Sequence, residues 1–163
     1  MAIGELQLPI QSGGISGSGI TLPARIERAG LVWKVLFAAD QTEQIIHQFE
    51  APINYASAPV WRKKWGMTSD TNSSHTVDLE TEVMAIADGE DYDVASFDAV
   101  NESTPTIPAS TTTKKTTSQT LTNNDSMAPE ETILIRDSRD HDGTDDATGD
   151  HEQIANVFSY TTT

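Results

Sequence analysis

From His75 to Ala85 the chain alternates in a way that a helix cannot use. Val77, Leu79, Val83 and Ala85 fall at odd positions, and Thr76, Asp78, Glu80 and Glu82 at even ones. Wound at about 100° per residue, those acids would spread around most of a helix; at 180° they collect on one wet face. The same period recurs. Leu31, Trp33, Val35 and Phe37 alternate with Lys34, and Ile45, His47, Phe49 and Ala51 with Gln44, Gln48 and Glu50. Ile154, Phe158 and Tyr160 share one side of Gln153–Tyr160, and Thr132–Arg136 reads as a short buried strand. Thr111–Thr122 is almost all Thr, Ser and Lys, which suits an edge or interface strand whose lysines discourage edge-to-edge pairing.

Turn formers separate these runs: Asp40-Gln41, Pro52, Pro59, Asp70–Ser74, Asp88-Gly89, Pro105, Pro108, Asn123–Ser126 and Asp142-Gly143. Seven or eight short strands so spaced predict an antiparallel sandwich or barrel. Alternating helices are missing, which argues against a parallel α/β sheet. One helical turn is expected within Asp91–Val100.

Composition narrows the function classes. The 163 residues fit one domain, and 25 acids against 10 bases leave a net charge of −15. Broad phosphate binding needs a basic face, so nucleic acid is not expected as a partner. The absence of cysteine removes disulfides, thiolate zinc sites and cysteine nucleophiles. No apolar run approaches a membrane span, and no secretory signal pattern is present, so no membrane partner is expected. Thr and Ser make up about a fifth of the chain, with 21 and 14 copies. Branched Thr favours strands.

Residues 1–22 read as an extended N-terminal arm, and 23–163 as the β-sandwich domain. Gly13-Gly14, Gly17 and Gly19 with interspersed Ser give linker composition, yet the stretch also holds Ile3, Leu6, Leu8, Ile10, Ile15, Ile20 and Leu22. Such aliphatics suit an arm laid into grooves on a neighbour; the other reading is a disordered terminus.

Three local features invite a site. Asp137–Glu152 carries seven acids against Arg139. Calcium takes oxygen ligands, but in EF-hand register Gly149 falls where a bidentate acid is needed. The plain alternative is a solvated hairpin loop, and no metal or cofactor is expected. His141 and His151 flank that loop, and His47 falls on an apolar face, as a hydrogen-bonded core or interface histidine does. Trp61-Arg62-Lys63-Lys64-Trp65 is the main basic cluster; on a strand Trp61, Lys63 and Trp65 share one side, and Arg62 and Lys64 the other. Interleaved aromatics and cations suit single-stranded nucleic acid, but equally a protein interface or core, and the overall charge favours the latter. The motifs of the common hydrolase, nucleotide-binding and zinc-protease sites are absent, so an enzyme is not expected.

From Thr21 to Thr163 the order of features resembles small β-rich virion proteins of tailed bacteriophages. Leu22-Pro23-Ala24-Arg25 opens it, followed by Leu31–Phe37, Trp61–Thr68, Ser96-Phe97-Asp98 and a Thr-rich strand ending in Leu121-Thr122-Asn123. The most specific piece is the tail: Ile133-Leu134-Ile135-Arg136-Asp137, then Asp145-Asp146-Ala147-Thr148-Gly149-Asp150 and a closing strand. Arg136-Asp137-Ser138-Arg139-Asp140 is longer than the compact turn of such proteins, and the arm has no fixed counterpart. The resemblance implies a jelly-roll-like β-sandwich at the capsid surface, without catalytic residues. A head decoration (cement) protein fits best, as a homotrimer that contacts the major capsid protein and neighbouring copies. Its contact residues would be Ile3, Leu6, Leu8, Ile10, Ile15, Ile20 and Trp61, Arg62, Lys63, Lys64, Trp65. The alternative is a tail-associated or receptor-binding accessory protein.

Overall fold

The computed structural model describes residues 2–8, 22–23, 25–29, 32–111, 113–141 and 144–163. They form β1 (Ile3–Leu8), β2 (Leu22–Pro23), β3 (Arg25–Ala29), β4 (Val32–Phe37), β5 (Glu43–Glu50) and β6 (Tyr55–Met67). After these come β7 (Asp78–Ile86), β8 (Asn101–Ser103), β9 (Lys115–Thr120), β10 (Thr132–Asp140) and β11 (His151–Thr162). No helix occurs among the described residues, and Asp91–Val100 holds turns where one helical turn is expected.

The strands make two sheets. The six-stranded sheet runs β3-β4-β11-β6-β9, with β1 also on β11; the five-stranded sheet runs β2-β5-β10-β7-β8. All pairings are antiparallel except the two-residue contact of β2 with β5. The all-β architecture follows from the alternation, because each strand has one face to bury and the sheets bury them against each other. No described helix is long and apolar enough to cross a membrane.

The interior is apolar at both ends and polar between. One cluster gathers Tyr55, Trp61, Val83, Ile133, Ile135 and Phe158 with others. A second holds Trp65, Met67, Val77, Leu79, Ile107 and Ala147, and a third Val35, Phe37 and Ile45. β11 breaks the expected alternation. A bulge between Gln153 and Ala155 shifts its register on β6. Before the bulge His151 and Gln153 are buried; after it Asn156, Phe158 and Tyr160 are. Ile154 therefore does not share the fully buried face of Phe158 and Tyr160.

Part of the expected arm belongs to the sheet. β1 pairs with β11 from Ile3↔Thr161 to Leu8↔Asn156. Leu8 is buried in the main cluster and Leu6 packs against it, whereas Ile3 is exposed. Pairing draws the strand in, because a β-strand beside an open edge satisfies its own backbone groups there. Ile10, Ile15 and Ile20 lie outside the described residues.

The basic strip is also corrected. Trp61, Lys63 and Trp65 do share one side of β6, but that side faces the interior, where all three are buried. They are core residues, not an interface. Arg62 and Lys64 lie on the outer face, half-buried, and Arg62 pairs with Glu5 of β1.

Candidate functional site

β10 crosses the middle of the five-stranded sheet and presents opposite characters on its two faces. Ile133, Ile135, Asp137 and Arg139 point inward and are fully buried. Thr132, Leu134, Arg136 and Ser138 point outward. Each face makes its own constellation.

The inner one centres on Asp137. Its carboxylate accepts hydrogen bonds from Trp61 Nε1 (2.8 and 2.9 Å), Thr81 Oγ1 (3.1 Å) and Gln153 Nε2 (3.0 Å). Lys63 Nζ stands 3.1 Å from Oδ1 and also donates to the Glu80 carbonyl at 2.9 Å. His47 Nε2 is 3.5 Å from Oδ2 and 3.0 Å from the Asn156 amide. Burial alone would raise the Asp137 pKa; the Lys63 charge, then His47 and Trp61, overcome it and hold the group well below the usual carboxylate range. Burial pulls Lys63 downward, against the opposing pull of Asp137. His47 is thus the hydrogen-bonded core histidine that its apolar face suggests. An acid, a lysine and a histidine meet here with no exposed surface, so the arrangement orders the core and offers no substrate access.

Arg139 closes the neighbouring loop. It forks onto Asp145 at 2.6 and 2.8 Å and donates to the carbonyls of Ala147 and Gly149 at 2.7 and 2.8 Å. Asp146 accepts the Thr76 amide at 2.5 Å, and Asp70 accepts the Thr148 amide at 2.8 Å. Gly149 is required where it is, because a Cβ would press on the Asp70 amide at 2.7 Å. The acid-rich stretch is therefore tied to protein donors. Among the described residues no three His, Cys, Asp or Glu groups are placed to hold a metal ion. His151 is buried between the rings of Phe37 and Trp65, while His141 meets the Thr42 hydroxyl. Burial, then Arg139 and Lys63, push the His151 pKa well down, so its ring is neutral.

The outer face of the same sheet is open. A groove of about 360 Å³ is lined by Gln48, Met84, Ile86, Tyr92, Thr132 and Leu134. Register puts them together: Leu134 lies opposite Gln48 on one side and Met84 on the other, and Thr132 opposite Ile86. Residues 87–100 supply the rim. Turns at Ala87–Glu90 and Asp91–Val94 fold the chain over, and the Asp98 amide is anchored on the Val83 carbonyl at 2.8 Å. Tyr92 stands at this rim, 71% exposed. Further along, Arg136 grips Glu82 through two bonds of 2.5 Å and lies 4.3 Å from the Phe97 ring centre. None of the groove residues is among the contact residues expected from the sequence. A signal existed: Thr132-Ile-Leu-Ile is apolar at consecutive positions, so one apolar residue, Leu134, had to fall on the outer face.

Two sheets packed face to face, closed by long cross-connections, define a jelly-roll-like β-sandwich. Among solved structures, a xylan-binding module, CBM15, matches with a TM-score of 0.56 at 13% identity, covering 99% of each chain. TmCBM61 in complex with β-1,4-galactotriose matches at 0.39, with 10% identity over 79% of this chain and 69% of that one. A CBM4 module matches at 0.38, with 11% identity over 86% of this chain and 76% of that one. The first of these shows the fold; the other two scores are too low to carry an argument. No family model and no curated protein matches the sequence.

Proposed function

We propose that this is a non-catalytic bacteriophage virion protein of the head-decoration type, whose five-stranded sheet displays a groove for glycans. The observation that carries the reading is the difference between the two outer faces. The six-stranded face presents Lys34, Arg62 and Lys64, partly paired with Glu152 and Glu5. The exposed Thr116, Ser118 and Thr120 of β9 flank it. It suits attachment to an acidic or polar particle surface. The five-stranded face carries the groove, with an apolar floor, amide and hydroxyl groups from Gln48 and Thr132, and an exposed tyrosine ring. Such a combination suits a sugar, which offers C–H faces to an aromatic ring and hydroxyls to amides. The xylan-binding neighbour of like fold supports the same class of ligand. The tail motif Arg136-Asp137 with Asp145–Asp150 supports the virion half of the proposal.

The test has two readouts. Antibody labelling of intact particles should decorate heads; labelling confined to tails would move the protein to the receptor-binding alternative. The isolated chain should be retained on one of xylan, β-1,4-galactan, mannan or cellulose, and Tyr92→Ala should abolish retention while moving stability by less than about 0.5 kcal/mol, as surface substitutions do. Absence of retention on every polymer would remove the groove from the proposal.

A further inference from the structure

The groove sits in a ring of negative charge that its lining residues do not reveal. Glu50 is the register neighbour of Thr132 on β5. Glu82 lies one same-face step from Met84 on β7, a distance of about 7 Å along a strand. Asp91 and Asp93 flank Tyr92, and all of Glu50, Asp91 and Asp93 are exposed. One further step along β7, Glu80 stands opposite Glu102. Glu80 and the adjacent Asp78 are raised above ordinary carboxylate values, first by burial and then by the acids around them. Arg136 is the only base on this face among the described residues, and Glu82 holds both arms of its fork.

On the reading that the groove binds a glycan, we propose that it is selective for uncharged saccharides and rejects uronic acids, with Glu50, Asp91 and Asp93 as the specificity-determining residues. Neutral hydroxyls donate hydrogen bonds to carboxylates at no Coulombic cost. A sugar carboxylate placed over the same floor meets several like charges at once, while among the described residues of this face the one guanidinium, Arg136, is held by Glu82. These charges lie within about one Debye length of the groove at 0.1 M salt, so they act together on a bound ligand.

The probes are a glucuronoxylan and the same polymer after its carboxyl groups have been reduced to alcohols, which share a backbone and differ in charge. Binding of the full chain to each immobilised polymer is compared by interferometry. The reduced polymer should bind at least about fivefold more tightly near 0.01 M salt, where the Debye length is about 30 Å. The preference should fade near 1 M, where that length is about 3 Å. Glu50→Gln/Asp93→Asn should shrink the low-salt ratio. Equal binding of the two polymers, or preference for the acidic one, overturns the selectivity and leaves the glycan groove standing. Binding to neither removes the groove reading and this inference with it.

Discussion

Asp137 lies in the sheet interior with Lys63 at 3.1 Å and donors from Trp61, Thr81 and Gln153 around it. Replacing it by Asn removes the charge that balances Lys63 and leaves an ammonium in the core. Breaking a buried pair from one side costs about 3–5 kcal/mol, and urea unfolding of Asp137→Asn should show a loss in that range. A loss below about 1 kcal/mol would mean that the network relaxes around the change. Its pH dependence follows from the lowered folded pKa. The contribution is present above the unfolded value near 3.9 and is lost as pH falls toward the folded one. His75 works in the opposite sense. Its Nδ1 meets Asp70 at 2.8 Å, and that hydrogen bond raises the imidazole pKa. The stabilisation is complete below the unfolded value near 6.5 and disappears as pH rises through the raised one. An NMR titration should place His75 above the ordinary histidine range, and Asp70→Asn should bring it back. The alternation of Trp61–Trp65 shows two sides in the sequence but not which of them is inside. Lys63 reads as a surface residue until its partner is known, and that partner comes from a distant strand that no local pattern names.

β1 illustrates what an element needs beyond its own sequence. Gly4 stands opposite Tyr160, and a Cβ there would intrude on the tyrosine ring, whose hydroxyl donates to Asn54 at 3.0 Å. The ring covers the bare backbone, and the strand lies flat because nothing projects from Gly4. Gly4→Val should lift β1 and speed amide exchange of residues 3–8 while the remaining sheets stay protected; unchanged exchange would show that Tyr160 swings aside. In the sequence this strand was hidden by its Gly/Ser-rich neighbours, which made the whole stretch read as an arm. β10 was legible only as far as Arg136. Its last residues look like a polar loop because Asp137 and Arg139 are charged. They continue the strand because each finds a full set of partners inside: Asp137 in the core network, Arg139 on Asp145 and two loop carbonyls. β11 failed the simple period for a different reason, since the bulge between Gln153 and Ala155 exchanges its inward and outward positions.

For the molecule as a whole, the class of fold was present in the alternation of Leu31–Phe37, Glu43–Ala51 and His75–Ala85: the last two bury the expected face, whereas in the first Val35 and Phe37 are buried, Trp33 is exposed and Leu31 lies outside the described residues. The groove was not, because cross-strand register brings Gln48, Met84 and Leu134 together and the turns of residues 87–100 carry Tyr92 to their rim. The ring of acids was half-legible: the sequence placed Glu80 and Glu82 on a wet face but not beside an apolar trough. Pairing of β1 with β11 also fixes how the sandwich bears load. Ile3 lies beside Thr161, and the Thr162 amide donates to the Ala2 carbonyl at 3.0 Å. A force drawn between residues 2 and 163 therefore pulls along the line of the interstrand hydrogen bonds, which are perpendicular to antiparallel strands, and opens them one after another. The domain would peel like a zipper from its two joined ends, whereas the same force applied along the length of β11 would have to shear many bonds together.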